Sequence, residues 1–277
     1  MKAALITAAV LACAVPALAQ TTGSKATAPG TSKLPRSSAV GTSVATAPFA
    51  WVDDASVLSP GGAAFSAAAV SWLGANASET DAPVVGVAAG VAPRLQLSAR
   101  VPFILGDNRS GVAGGVGTSY ISGKIALVQT DGDGFKLAVA PTVQLLGNTV
   151  SSASGNRARF GLPVSAEFDS GSARVFGSVG YFAGGVGFAG GGVGVAATSR
   201  VSLAASVSRS WLSSSGTIAL PTVGSDRTEV AGGAAIALTS RVAVFGSLSQ
   251  TIATTDANGA GMTLVAGLLV TSSRVRP

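Results

Sequence analysis

The stretch Arg94 to Phe103, RLQLSARVPF, alternates apolar and polar side chains at every second residue. One face carries Leu95, Leu97, Ala99, Val101 and Phe103, and the other carries Gln96, Ser98 and Arg100. Successive side chains of a strand point to opposite sides, so the pattern predicts an amphipathic β-strand. The apolar face of such a strand needs a nonaqueous surrounding, and the nature of that surrounding decides the fold.

The same alternation recurs along the chain from Gly62 onward. In Arg159 to Phe168 the apolar set is Phe160, Leu162, Val164, Ala166 and Phe168, against Arg159, Ser165 and Glu167. Gly, Pro, Asp, Asn or Ser residues separate the segments, as expected for turns. About twelve strands are predicted, at residues 62–73, 83–92, 94–104, 118–129, 135–146, 158–168, 173–183, 186–197, 200–211, 227–238, 241–252 and 260–271.

The connections between these segments differ in length. Tight turns are predicted at residues 92–94, 131–134, 169–172, 198–199 and 239–240, and longer links at residues 75–82, 106–117, 147–157, 212–226 and 253–258. Short turns at one end and long loops at the other are typical of outer-membrane barrels. With an even number of strands, both chain ends fall on the short-turn, periplasmic side.

The composition favours lipid over an internal core as the partner of the apolar faces. Hydrophobic residues make up 47% of the chain and charged residues only 11%, whereas a soluble domain carries about 25% charged residues. The second face of each strand is mostly Ser, Gly, Ala and Thr, where a soluble sandwich would carry Lys and Glu. We therefore predict an all-β fold, a transmembrane antiparallel up-and-down β-barrel of about 12 strands. A secreted soluble β-protein is the alternative.

The N-terminal region divides into three parts. Residues 1–19 have a positive start, an apolar run and Ala17-Leu18-Ala19, which predicts a cleaved signal peptide. A lipoprotein signal ending at Cys13 is the rival interpretation. Residues 20–47 form a Ser/Thr/Gly-rich arm, and residues 48–277 form the barrel, which begins with an ordered lead-in segment over 48–61. The predicted location is the outer membrane of a Gram-negative bacterium.

The residue types present argue against catalysis. The chain contains no histidine, and its single cysteine lies in the predicted signal peptide. Ser-His-Asp chemistry and His/Cys metal sites are therefore excluded. Gly185 to Gly190 matches GxGxxG without a following helix, so we interpret its glycines as allowing strand bending or close approach. Asp131 to Gly134 is interpreted as a hairpin turn. We predict no enzymatic activity and no cofactor.

The charge pattern points to small solutes and to the membrane. Loss of Lys2 with the signal peptide leaves 17 basic against 12 acidic residues, a net charge of +5. The basic residues are scattered, which argues against nucleic-acid binding, and the expected partners are outer-membrane lipid, lipopolysaccharide and a small-molecule solute. The oligomeric state stays open. The predicted lumen residues, which would tune solute selectivity or only cross-pair inside the barrel, are Arg100, Lys124, Lys136, Arg159, Glu167, Arg209 and Glu229.

Five arginines lie at or beside the predicted periplasmic strand ends, each followed by Val or Leu: Arg94, Arg174, Arg200, Arg241 and Arg274. The aliphatic stem of an arginine lies along apolar surface while its guanidinium reaches headgroups or water. We predict this outward position for all five. A charged turn residue that only aids solubility is the alternative for each.

The lead-in residues Asp53-Asp54-Ala55, Leu58 and Pro60-Gly61-Gly62, together with the repeated Thr-Ser-Arg-Val turns, resemble the outer-membrane barrels of the meta-pathway phenol-degradation transporter group. The resemblance spans most of residues 53–271 and implies uptake of small, often aromatic or hydrophobic compounds. The predicted function is a channel or transporter for passive passage of small solutes. The alternative is a structural or adhesive outer-membrane surface protein without transport activity.

Overall fold

The computed structural model describes residues 52–74, 78–106, 114–130, 133–147, 157–212, 226–255 and 260–272. The predicted signal peptide at 1–19 and the arm at 20–47 lie outside these ranges, as do Arg274 and parts of the predicted long loops. Within the described ranges, no helix is long and apolar enough to cross a membrane.

The described residues form one antiparallel sheet of fifteen strands. In chain order the strands are β1 Ala63–Gly74, β2 Ser78–Ala92, β3 Leu95–Leu105, β4 Gly115–Val116, β5 Ser119–Val128, β6 Gly134–Val139, β7 Thr142–Leu145, β8 Ala158–Gly161, β9 Val164–Ser170, β10 Ala173–Phe182, β11 Val186–Ala196, β12 Val201–Leu212, β13 Arg227–Ala237, β14 Val242–Thr254 and β15 Gly261–Ser272.

Three pairs of these strands are halves of longer ones. β4 and β5 both pair with β3, β6 and β7 both pair with β5, and β8 and β9 both pair with β10. Pro141 and Pro163 mark two of the breaks, since proline has no N–H for the ladder. The backbone hydrogen-bond ladder stays continuous there because the Ala140 N–H donates to the Pro163 carbonyl at 2.8 Å. The wall therefore consists of twelve barrel strands across the described residues, as predicted.

The sheet closes on itself where the first strand meets the last. β1 pairs with β15 along its full length, from Ala63 opposite Ser272 to Gly74 opposite Gly261. Because every barrel strand has two neighbours, the backbone N–H and C=O groups find partners within the protein, which is the condition for crossing hydrocarbon as strands. The predicted up-and-down antiparallel barrel is confirmed.

The two faces of the barrel wall differ as the alternation predicts. On the outer face Phe160 and Phe168 are 68% and 53% exposed, and on the inner face Glu167 is 1% exposed. Other exposed outer residues are Phe65, Val87, Leu97, Ile121, Leu127, Phe135, Val175, Val207, Leu248 and Leu268. A continuous apolar exterior of this extent matches a lipid-facing band.

The repeated Thr-Ser-Arg-Val sequence builds the same turn twice. The Thr198 hydroxyl oxygen accepts hydrogen bonds from the backbone N–H groups of Arg200, at 3.1 Å, and Val201, at 3.0 Å. Thr239 does the same for Arg241 and Val242. The threonine side chain substitutes for a backbone acceptor in these tight turns.

The strand boundary that departs most from the prediction is the start of β2. β2 begins at Ser78 and not at residue 83, so the predicted link over 75–82 shortens to 75–77. The added residues Ser78 to Ala82 are mostly polar on both faces, and Pro83 follows them. Apolar alternation cannot reveal such a strand segment, whereas pairing with β1 can, as Trp72 opposite Glu79 shows.

Lipid contact predicts that a charge on the outer face destabilises the barrel according to its depth. Val207→Lys, in the middle of β12, should lower the free energy of unfolding by about 2–4 kcal/mol, and Leu238→Lys, directly after β13, by about 0–1 kcal/mol. Both wild-type residues are exposed and apolar. Urea unfolding of protein refolded in phospholipid vesicles measures the difference. Equal small effects at both positions would mean that water, and not lipid, contacts this face.

Candidate functional site: the barrel lumen

Six of the seven predicted lumen residues face the interior of the barrel: Arg100, Lys124, Lys136, Arg159, Glu167 and Glu229. Arg209 does not, and its assignment to the lumen was wrong. It shares the outer face of β12 with Val207, its side chain is exposed, and it pairs with Asp226 at 3.1 Å. The alternation itself carried this signal, because Arg209 lies two residues from Val207.

The described part of the lead-in segment, Val52 to Gly61, enters the barrel from its short-turn end. The Gly61 N–H donates to the Gly90 carbonyl of β2 at 2.8 Å, and the Leu58 N–H donates to Oε1 of Gln96 on β3 at 2.9 Å. The described chain therefore turns back from the start of β1 and enters the lumen along β2 and β3.

Paired aspartates hold the inner part of the segment. Nζ of Lys124, on β5, lies 2.6 Å from Oδ2 of Asp53 and donates to the Asp54 carbonyl at 3.0 Å. The Asp54 carboxylate also pairs with the Arg174 guanidinium of β10 at 3.4 Å. Asp54, Lys124 and Arg174 are all buried. A buried pair of this kind adds more to specificity of placement than to stability, because desolvation offsets its attraction.

A second contact set lies beside the aspartates, on β6 and β9. Oε2 of Glu167 accepts hydrogen bonds from the Ala55 N–H at 3.1 Å and the Ser56 hydroxyl at 2.9 Å. Nζ of Lys136 donates to the Ser56 Oγ at 3.1 Å and pairs with Asp169. Glu167 and Lys136 are directly opposite each other in the β6–β9 register. These wall charges therefore act as backbone and hydroxyl partners of the segment.

Val52 contacts barrel strands on the side of the lumen away from β2 and β3. It is buried against Phe176 of β10 and Ala231 of β13. A Cβ on Gly190 of β11 would lie 2.4 Å from a Val52 methyl carbon, so only glycine leaves room for this side chain. The segment thus contacts barrel strands from β3 round to β13. We conclude that Val52 to Leu58 forms a constriction across the lumen.

Sequence reasoning missed Arg174 as a lumen residue. It was predicted to reach outward to headgroups, but it is buried inside the barrel, pairs with Asp54 and lies 4.8 Å from the centre of the Phe176 ring. Strand alternation gives the signal, since Arg174 is in phase with the inward Phe176 and Ser178 and out of phase with the outward Val175. The outward prediction followed the repetition of arginines at strand ends and not this alternation.

A second polar row crosses the lumen nearer the long-loop end. Arg100, Tyr120, Gln144 and Arg159 are successive register neighbours on β3, β5, β7 and β8. Nε2 of Gln144 donates to the Tyr120 hydroxyl at 3.2 Å. Tyr120 and Lys124 are four residues apart on β5, which is about 13 Å along a strand. The lumen therefore has two polar layers, the constriction and this row.

Loss of one aspartate should release the constriction. Asp54→Asn removes the carboxylate that pairs with Arg174 and leaves Lys124 with Asp53 alone, so we expect docking of the segment to weaken by about 3 kcal/mol. The protein without residues 1–19 contains no cysteine, so a spin label at Val57→Cys reports on this segment alone. A mobile spectral component should appear with Asp54→Asn. Asp226→Asn, which removes a carboxylate paired with the outward Arg209, is the control and should leave the spectrum immobile.

Gly190 offers a steric test of the same docking. Gly190→Ala places a methyl group where Val52 packs and should mobilise the Val57 label, whereas Gly232→Ala meets nothing closer than 3.9 Å and should not. The ratio of mobile to immobile components in the spectrum measures both. An immobile label in Gly190→Ala would show that Val52 does not seat against β11.

The closed barrel is similar in fold to solved outer-membrane channels. No protein-family model matches the chain, and no curated protein matches its sequence. Among solved structures, the NanC porin has a TM-score of 0.55 and 12% identity, covering 74% of this chain and 98% of its own. An outer-membrane channel from Pseudomonas putida F1 has a TM-score of 0.53 and 12% identity, covering 79% and 98%. The KdgM porin has a TM-score of 0.52 and 6% identity, covering 75% and 99%. At these identities the likeness shows the fold, and the chain therefore has the closed antiparallel barrel fold of outer-membrane channels.

Proposed function

We propose that this protein is a channel of the Gram-negative outer membrane that passes small solutes, and that the lead-in segment sets the width of its lumen. The observation that carries the proposal is the opposite character of the two barrel faces. The outer face is apolar, while the inner face gathers Arg100, Lys124, Lys136, Arg159 and Glu167. A barrel that only anchors loops has no need of ionisable groups in its interior, because burying them costs free energy.

The constriction bears on how such a channel opens. Hydrogen bonds and ion pairs hold Val52 to Leu58 in place, and none of these contacts is covalent. A solute that passes must move beside the segment or displace it. Transport through this barrel is therefore expected to be slow while the segment is docked and faster once it leaves.

The substrate class implied by the phenol-transporter resemblance, small aromatic or hydrophobic compounds, stays part of this proposal. Its support lies on the inner face of β1 and β13 to β15. Phe245, Val265 and Leu269 form a buried apolar cluster there, with Ala64 and Val70 against it. This part of the lumen wall is thus apolar, while β3 to β10 carry most of the charged groups named above. A solute with an apolar body and one polar group fits both sides.

The second candidate is a surface protein without transport activity, in which the loops contact partners and the barrel is an anchor. The observation that favours it is the constriction itself, since a segment that spans the lumen from β3 to β13 obstructs passage. Lipid and lipopolysaccharide contacts belong to both candidates, because the apolar exterior is the same in each.

Solute flux through the folded barrel separates the two candidates. We expect liposomes containing the full mature chain to swell slowly in small neutral solutes, and liposomes containing a variant lacking residues 52–58 to swell several times faster. Circular dichroism and heat-dependent gel migration would verify that both proteins are folded. Empty liposomes and liposomes containing Gly232→Ala are the controls. If neither folded protein passes any solute, the channel proposal is wrong and the anchoring role gains support.

A further inference from the structure

We propose that the lumen row next to the constriction is a binding site for a small organic carboxylate, with Arg159 as the residue that holds the anion. This inference rests on the proposed channel function, since it names the class of solute that the lumen would bind. Its observations are separate from those that support the channel. They concern one guanidinium group, its neighbours and their charges.

The Arg159 side chain is unusual among the charged groups of the wall. It is 8% exposed, yet its Nη1 has no hydrogen-bond partner among the described residues. A buried donor of a charged group that stays unpaired costs more free energy than a neutral one. By contrast, Lys124, Lys136 and Arg174 all pair with carboxylates. The Nη1 of Arg227 is also unpaired, but its Nε pairs with Glu229 at 3.2 Å. Arg159 therefore combines an unpaired donor with the lack of a carboxylate partner among the described residues.

The neighbours of Arg159 complete a polar site. Gln144 lies directly opposite it in the β7–β8 register, and the Gln144 amide donates to the Tyr120 hydroxyl at 3.2 Å. On the other side, a Cβ on Gly184 would lie 3.2 Å from Nε of Arg159, so the turn between β10 and β11 closely approaches the guanidinium. This close approach restricts the orientations open to the Arg159 side chain, which lowers the entropic cost of binding.

The side of the site formed by Phe182 and Phe188 is apolar. The Phe182 ring packs against Tyr120 with centroids 6.4 Å apart and an angle of 80° between planes, and Phe188 lies 6.1 Å from Phe182. Phe182 and Phe188 are buried. An apolar surrounding strengthens the attraction between a guanidinium and an anion, because it lowers the local dielectric constant.

The charge of the row favours an anion. Arg100 carries a second guanidinium group at the β3 end of the row. Within the described residues, neither Gln144 nor Tyr120 supplies a negative charge to Arg159, and Glu167 is already bound to Ser56, Ala55 and Lys136. The row thus carries positive charge at Arg100 and Arg159, and Arg159 has an unpaired N–H group to offer an anion. A guanidinium presents parallel N–H groups that match the two oxygens of a carboxylate.

Position along the lumen gives the site a role in passage. Arg159 follows the long link after β7, and Tyr120 lies near the start of β5, so the row lies toward the long-loop end. The constriction lies toward the short-turn end. A carboxylate entering through the long loops therefore meets Arg159 before it meets the lead-in segment.

Calorimetric titration of the folded mature barrel in detergent tests the site without requiring flux. The probes are benzoate, its uncharged analogue benzamide and inorganic phosphate. We expect saturable binding of benzoate to the wild type and a dissociation constant at least 10-fold higher in Arg159→Gln, a change of about 1.4 kcal/mol. The benzoate dissociation constant of Arg159→Lys should lie between those of the wild type and Arg159→Gln, because lysine keeps the positive charge but lacks the planar guanidinium group. Arg209→Gln, which removes the same charge from the outer face, is the matched control and should bind as the wild type.

Several results would overturn the proposal. Equal benzoate affinity in wild type and Arg159→Gln would show that Arg159 is not the binding group. Equal affinity for benzamide and benzoate would show that no anion is recognised, and tighter binding of phosphate than of benzoate would assign the site to phosphate instead. A loss of benzoate affinity in Arg209→Gln equal to that in Arg159→Gln would mean that net charge alone controls binding. If benzoate binds through Arg159 but liposomes show no flux, the site stands and the channel function falls.

Discussion

Backbone hydrogen bonding without water is the constraint on which the rest of this structure depends. A strand in hydrocarbon must pair on both edges, so the sheet has to close. Here closure is the full-length pairing of β1 with β15, from Ala63 opposite Ser272 to Gly74 opposite Gly261. Closure also creates the lumen, because the face of each strand that does not meet lipid must then meet the interior.

The interior of a twelve-strand barrel holds side chains together with one extra segment, and the sequence of β11 makes that segment fit. Gly190, Gly192 and Gly194 all face inward, where a Cβ would lie 2.4 to 2.6 Å from atoms of Val52, Phe176 and Arg174, respectively. A strip of wall without side chains thus receives groups from the lead-in and from β10. The GxGxxG pattern that ends at Gly190 has this steric role, in agreement with its interpretation as a site of close approach.

The two polar layers of the lumen differ in how their charges are balanced. In the constriction, Lys124, Lys136 and Arg174 are paired with carboxylates from the lead-in segment and β9, so that layer is held together internally. In the row toward the long loops, Arg159 keeps an unpaired N–H group. The first layer is therefore suited to closing the lumen and the second to binding what enters it. One narrow barrel combines both because strand rise separates them by about 13 Å.

What the sequence by itself determined was local to a strand: the twelve alternating segments, the inward faces of Glu167 and Arg159, and the positions of the short turns. Period-two alternation needs no knowledge of neighbours, and it even contained the correct faces of Arg174 and Arg209. Only the tertiary structure decided that Ser78 to Ala82 extends β2 and that Asp54 lies between Lys124 and Arg174, 120 residues away in sequence from Arg174. Such contacts arise from closure of the barrel, which brings distant strands around one lumen. No local sequence pattern specifies which distant residues come together in this way.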